Sequence, residues 1–305
     1  EASKGKNKIG STLKGIGPTY MDKTGRNGLR IGDIELSDFI SRYESLKKKH
    51  LSILKDYDFP FDLEQAEAQW MSAIDRIRKM KLTDTDLFIQ NSFHSNKKIL
   101  AEGAQGTLLD VDFGTYPFVT SSTTTAAGAC TGLGLAPNRI NEVIGIFKAY
   151  VTRVGSGPFP TELNNDHGKY LRDQGNEYGS TTGRPRRTGW LDLPALKYAV
   201  EINGVTQLMM MKADVLSGLN ELKVCTEYEY GGETIKHIPF SLNDDLVTPV
   251  YTELKPWSED LTKMNSTDQL PNQLKSYTKF IEEYIGVPIV LISVGPDREQ
   301  TLWRV

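Results

Sequence analysis

The residues of this 305-residue chain with the most chemical content sit in short polar loops, several of which directly follow apolar runs. Met211-Lys212-Ala213-Asp214 closes an apolar run that begins at Val205. An aspartate in such a place can accept two hydrogen bonds from a guanine edge, from N1–H and from the exocyclic amine. Adenine offers no such pair of donors, so the contact would discriminate. The stem of Lys212 can lie flat on a base. Alone, the triplet reads sooner as a strand end with solvent-facing charges. Ser293-Val294-Gly295-Pro296-Asp297-Arg298 ends another apolar run, and its glycine allows close approach to the other edge of a guanine. Alone, it is a Gly-Pro turn.

The segment Ser180-Thr181-Thr182-Gly183-Arg184-Pro185-Arg186-Arg187 carries more weight. Guanidinium forks bind carboxylates and phosphates bidentately, and hydroxyls complete the shell. An anionic small molecule fits this cluster better than a solvated face does. A nucleic-acid surface would want a wider basic patch with interleaved aromatics, and the net charge of the chain is −3. Gly10-Ser11-Thr12-Leu13-Lys14-Gly15-Ile16-Gly17-Pro18 is either a phosphate cradle or a flexible terminal loop. In Glu102-Gly103-Ala104-Gln105-Gly106-Thr107, the amide of Gln105 would read a base edge or bond to backbone. The hydroxyl run 120–125 precedes Ala-rich sequence and suits either a phosphate at a helix start or an N-cap. Gly-x-x-x-x-Gly-Lys-Ser/Thr, His-Glu-x-x-His and Cys-x-x-Cys do not occur. The scattered His50, His94, His167 and His237 read as structural or exposed.

Elements must hold these loops in place. Apolar residues at helical spacing predict helices over 36–55, over 62–80 after Asp62 as N-cap, and over 84–94. Residues 1–33 read as loops. Strands are predicted at 98–103, 143–154, 205–211 and 287–292, and a β-hairpin at 222–238. Helices are predicted at 192–202, capped by Asp192 with Pro194 in the first turn, and at 271–285. Apolar strands alternating with helices predict an α/β sheet buried on both faces, with ligands beyond the carboxyl ends of the strands. Charged residues at 25% and hydrophobic ones at 38% are ordinary for a globular protein. No apolar run approaches the ~20 residues of a membrane span. Cys130 and Cys225 read as buried thiols in a reducing compartment, so the expected location is the cytoplasm.

Taken in order, the chain resembles the adenylosuccinate synthetase family from about residue 5 to its end. The matching stretches are 11–18, 102–110, Gly114-Thr115-Tyr116-Pro117, 152–162, 181–192, Lys212-Ala213-Asp214 and Gly295-Pro296-Asp297-Arg298. The resemblance implies a C–N bond-forming ligase. GTP phosphorylates the 6-oxygen of IMP, and L-aspartate displaces that phosphate to give adenylosuccinate, GDP and phosphate. This is the first committed step from IMP to AMP in purine biosynthesis. It implies one P-loop-NTPase-like α/β domain over 1–305, a large central β-sheet with flanking helices plus helical and loop subdomains. Residues 1–97 would be mainly helical and loop, and 98–305 would carry the guanine- and aspartate-binding loops.

Carried over position by position, Thr12 and Thr120 would hold the IMP 5′-phosphate, and Arg26 would reach that phosphate in the partner of a homodimer. Gln105 would face the purine 6-position in a supporting catalytic role, and Val154 would touch the ribose through its backbone. Ser180, Thr181, Thr182, Gly183, Arg184 and Arg186 would take the aspartate. Arg184 would also approach IMP, and Arg186 the GTP phosphates. Lys212, Ala213 and Asp214 would recognise guanine, with Ser293, Val294 and Gly295 closing over it. Two departures are visible: Pro185 interrupts a run of arginines usual in the family, and Thr123 stands where asparagine is common. The family's opening Gly-Asp-Glu-Gly-Lys-Gly-Lys loop, with its aspartate base and magnesium ligand, and a histidine after it, are not matched. The expectation is an N-terminally incomplete chain with no metal ligands of its own and the Mg2+ site elsewhere. It would be inactive alone, with part of its sheet exposed. The alternative is a non-catalytic nucleotide-binding or dimerising fragment. Neither nucleic acid nor membrane is an expected partner.

Overall fold

Periodic apolar residues build the helices of the compact unit formed by 13–101 and 133–135, one of two into which the chain divides. The computed structural model describes residues 5, 8–57, 59–179, 183–242 and 246–304. In this unit α1 spans Ile16–Thr24, α2 Phe39–Leu54, α3 Leu63–Ile77 and α4 Thr85–His94. The Asp62 carboxylate accepts from the Gln65 N–H at 2.9 Å, so the predicted cap forms. Trp70 of α3 stacks on Tyr43 and Phe39 of α2, and Ile34, Phe39 and Ile74 form a small core.

Two expectations fail here. Residues 16–24 are a helix rather than loop, because Asp22 is buried and its carboxylate is held by Lys49 and His50 of α2 at 2.5 and 2.6 Å. Local composition gave no sign of that tertiary anchor. Residues 98–103 form no strand. Nothing among the described residues pairs with them, and Leu100 is 88% exposed. A strand is stable only when its backbone groups find a neighbour.

The second unit comprises 1–12, 102–132 and 136–305. After α5 (Ala127–Leu133), which lies in it up to Gly132, its elements are β1 (Ile144–Lys148), β2 (Val151–Arg153), α6 (Asp166–Gln174), β3 (Arg187–Gly189), β4 (Leu191–Asp192) and α7 (Leu193–Asn203). Then follow β5 (Gln207–Met211), β6 (Leu222–Tyr230), β7 (Glu233–Ile235), β8 (Val247–Leu254), α8 (Asn272–Ile285), β9 (Ile289–Ser293) and β10 (Thr301–Trp303). One sheet has the order β1-β5-β9-β10; its first three strands are parallel, and β10 runs antiparallel to β9. A second sheet sets β6 between β8 and β7, with β4 parallel to β6. The predicted hairpin is β6–β7. The single strand expected over 143–154 is instead two, broken at buried Ala149 and Tyr150. There the chain leaves β5 and β2 pairs with β3.

The main core gathers Leu208 and Met210 of β5, Ile289 and Ile292 of β9, and Leu274, Tyr277, Ile281 and Ile285 along one face of α8. Register aligns Lys148 with Met211 and Met210 with Ile292. The carboxyl ends of β1, β5 and β9 therefore share one edge, where an open α/β sheet receives ligands.

Candidate functional site

At that edge Lys212 sits directly after β5 in the left-handed region, at φ 61°. For a long-side-chain residue this is strained and uncommon, and such strain collects at functional sites. Among the described residues, the others of this kind that are not glycine are Leu13, Arg26, Asn96, Gln105 and Asn176. Arg26 and Gln105 are thus two further sequence-predicted site residues, and Leu13 adjoins Thr12. Asp214 follows in a short 3-10 turn, and one of its carboxylate oxygens is buried without any hydrogen-bond partner. Burial raises its pKa despite the nearby Lys212 ammonium. An orphaned buried acceptor costs free energy that a ligand donor would restore. On the neighbouring strand, buried Ser293 donates through its hydroxyl to the Gly295 carbonyl at 3.0 Å. A Cβ at Gly295 would meet the amide end of the Gln300 side chain, so a larger residue there would first have to push that side chain aside. The two loops singled out as guanine-type are therefore adjacent.

The arginine loop reaches the same place. Gly179 N–H donates to the Arg184 carbonyl, and Arg186 N–H donates to the Glu177 carbonyl, each at 2.8 Å, so its base is closed. Ser180, Thr181 and Thr182 lie outside the described residues. The Arg186 guanidinium donates to Glu177 at 2.6 Å. Glu177 is fully buried and also accepts from Lys148, Tyr150 and Lys212. Its burial, which by itself would raise the pKa, is outweighed by Lys148, Tyr150 and Arg186, which hold it down to about 2. Arg187 is committed elsewhere, forking onto both oxygens of Glu162 and donating to the Gly157 carbonyl at 2.7 Å. Arg186 and Arg187 are thus each paired with a carboxylate of the fold.

A second group of loops in the same unit surrounds Arg184. The Ile9 carbonyl accepts from Ser156 N–H at 3.4 Å. A Cβ on Gly10 would stand 2.8 Å from the Gly155 Cα and 3.4 Å from an Arg184 guanidinium nitrogen. This close approach brings the segment ending in exposed Thr12 beside Val154 and Arg184. Arg153 donates to the Thr115 hydroxyl and the Phe118 carbonyl, drawing in the loop that leads to Thr120. Buried Asp110 organises that loop by accepting from the amides of Asp112, Phe113, Thr124 and Thr125. The amides at 124 and 125 are thus occupied by Asp110, not held ready for a phosphate, and α5 starts only at Ala127. Arg26 belongs to the helical unit, exposed just past α1.

Sequence reading missed Glu177, Lys148 and Asp110. None stands in a recognisable spacing, and only the fold shows what each one holds. The other sequence-level readings were mixed. Cys225 is buried, but Cys130 is only half-buried. His50 and His167 have side-chain partners in Asp22 and Asn220, as structural histidines do. Among the described residues no group of three or more His, Cys, Asp or Glu could hold a metal ion. No helix there is long and apolar enough to cross a membrane.

A largely parallel α/β sheet with strained, glycine-bearing loops at its carboxyl edge belongs to the open α/β class, which receives its ligands at that edge. The profile of the adenylosuccinate synthetase family matches residues 1–302. The curated adenylosuccinate synthetase of Flavobacterium johnsoniae is 63% identical over all of this chain, which covers 72% of it. That of Cytophaga hutchinsonii is 57% identical over 99% of the chain and 70% of its own length. The structure of the fully ligated enzyme from Plasmodium falciparum superposes over the whole chain and 72% of its own, with a TM-score of 0.91 at 40% identity. The chain belongs to the adenylosuccinate synthetase family, and with it to the ligases of purine biosynthesis; the P-loop-NTPase-like α/β fold expected from the resemblance is the fold it has.

Proposed function

We propose that this chain serves the GTP-dependent joining of IMP and L-aspartate. The γ-phosphoryl group of GTP passes to the 6-oxygen of IMP. The aspartate amine then attacks C6, and phosphate leaves with that oxygen. The observation that carries the reading is Asp214, whose buried carboxylate oxygen lacks a donor beside the strained Lys212. A guanine edge supplies that donor, and adenine in the same pose does not. Lys212, Ala213 and Asp214 hold the base, and Ser293, Val294 and Gly295 close over it. Arg186 faces the GTP phosphates.

The loops around Arg184 hold IMP and aspartate. Thr12 and Thr120 hold the phosphate, Val154 the ribose, and Gln105 faces the 6-position. Residues 180–184 with Arg186 take the aspartate carboxylates. The active unit is a cytoplasmic homodimer in which Arg26 reaches the partner's IMP phosphate, and residues 1–305 act as parts of one synthetase domain. Magnesium would assist the phosphoryl transfer by neutralising charge on the nucleotide phosphates. All of these roles hold substrate. We propose further that the chain by itself binds these substrates without turnover, and IMP-dependent release of phosphate from GTP by the pure chain would refute that.

Calorimetric titration of GDP and of ADP tests the nucleotide assignment. GDP should bind at least about tenfold more tightly than ADP. Asp214→Asn should erase that preference. Equal affinities in the wild-type chain would overturn the guanine assignment.

A further inference from the structure

Three cations converge on Glu177, although one is enough to neutralise a carboxylate. Lys148 donates to both oxygens at 2.8 and 2.9 Å, Arg186 to one at 2.6 Å, and Lys212 to the other at 3.1 Å. Tyr150 adds its hydroxyl at 2.6 Å. Three cations thus share one hydrogen-bonded carboxylate, with Asp214 near Lys212 as a further counter-charge. The cation side chains remain 26–35% exposed, whereas Glu177 is wholly buried. The carboxylate is the fixed centre, and the cation side chains form a partly exposed shell around it.

A fold staple alone does not explain this arrangement. The Arg186 main chain is already tied by its N–H to the Glu177 carbonyl, and β3 begins at the next residue. The Lys212 ammonium also donates to the Gly175 carbonyl. What the Glu177 carboxylate adds is control over where two side chains point, one from each of two separate loops.

We propose that Glu177 is a positioning residue that locks Arg186 and Lys212 into a single ion cluster, so that the phosphate-facing loop and the guanine-facing loop are preset together. Its nucleotide consequence rests on the GTP reading of those loops; the side-chain coupling itself does not. Preorganised charged groups bind more tightly because less ordering remains to be done on association. Losing Glu177 should therefore weaken guanine nucleotide binding more than IMP binding, since the recorded partners of its carboxylate include neither Thr12 nor Thr120.

The test has a ligand-free arm and a ligand arm, both on the whole chain. In the free protein, 15N relaxation of the Arg186 guanidinium and the Lys212 ammonium should report ordered side chains. In Glu177→Gln both should loosen together, while the methyl groups of Leu274 and Ile281 stay ordered. In titrations, Glu177→Gln should weaken GDP about tenfold and IMP by clearly less. Tyr150→Phe, which removes one hydrogen bond to the same carboxylate, should move GDP in the same direction by less. Arg186 and Lys212 staying ordered in Glu177→Gln would overturn the proposal. So would equal losses of GDP and IMP affinity, the signature of a general fold defect. If Glu177→Gln does not fold, Tyr150→Phe decides by the same readouts. If the wild-type chain binds IMP but no guanine nucleotide, the GTP assignment fails and the relaxation arm alone decides the coupling.

Discussion

Two buried carboxylates in the same α/β unit have opposite acidities. Glu177 is wholly buried yet held down to about 2. Asp192, 5% exposed at the start of α7, is pushed up to about 6 by burial, against hydrogen bonds from Tyr228 and the Ala195 amide. Both are well hydrogen-bonded. What separates them is cations: Glu177 has Lys148, Arg186 and Lys212, whereas the recorded partners of Asp192 are neutral donors. Hydrogen bonds satisfy a buried carboxylate geometrically, but only opposite charge offsets the loss of water. Asp192 thus fits a structural cap, whereas Glu177 sits in an electrostatic assembly of the kind found at binding sites.

The largest effect expected from this contrast is that of Glu177→Leu. It would leave three cations facing an apolar side chain and cost about 3 kcal/mol of stability at pH 7, measured by urea unfolding. A loss below about 0.5 kcal/mol would mean the cations re-solvate freely and the contrast is empty. The folded pKa of Glu177 lies below its ordinary value of 4.5, so its contribution is present above that pH and drains away as pH falls toward about 2.

Asp192→Asn is expected to act in the opposite direction. The folded pKa of Asp192 is above its ordinary 3.8, so the wild type loses stability from this group as pH rises from about 4 to about 6. Asparagine keeps the cap and the acceptor without the charge. The variant should be about 2 kcal/mol more stable than wild type at pH 8 and nearly equal at pH 4. A variant less stable at both values would show that the negative charge itself is wanted. The smallest effect should come from Tyr228→Phe. It removes a 2.6 Å hydrogen bond to Asp192 and should cost about 1 kcal/mol at pH 8, read by thermal unfolding.

Much of the fold was legible because periodicity survives burial. Asp192 and Pro194 predicted the start of α7, and the apolar runs ending at Met211 and Ile292 predicted β5 and β9. The failures share a cause. Helix α1 depends on Asp22 reaching α2, the run 98–103 has no partner strand, and the 143–154 run is divided by the pairing of β2 with β3. In each case contacts distant in sequence decide the local structure. The same divide runs through the site. Lys212, Asp214, Ser293 and Gly295 were visible as loops after apolar runs. Glu177, between Asn176 and Tyr178, carries no local signal, because its meaning lies in residues 29, 9 and 35 positions away.

Asp110 bears on how the molecule breathes. Its carboxylate ties four amides from two stretches of one loop, and those hydrogen bonds outweigh burial to lower its pKa. None of these amides belongs to a helix or a strand ladder, yet they share one lock. Hydrogen exchange at Asp112, Phe113, Thr124 and Thr125 should therefore be slow and correlated, rising together when Asp110 lets go. The loop that leads to Thr120 opens as a unit or not at all.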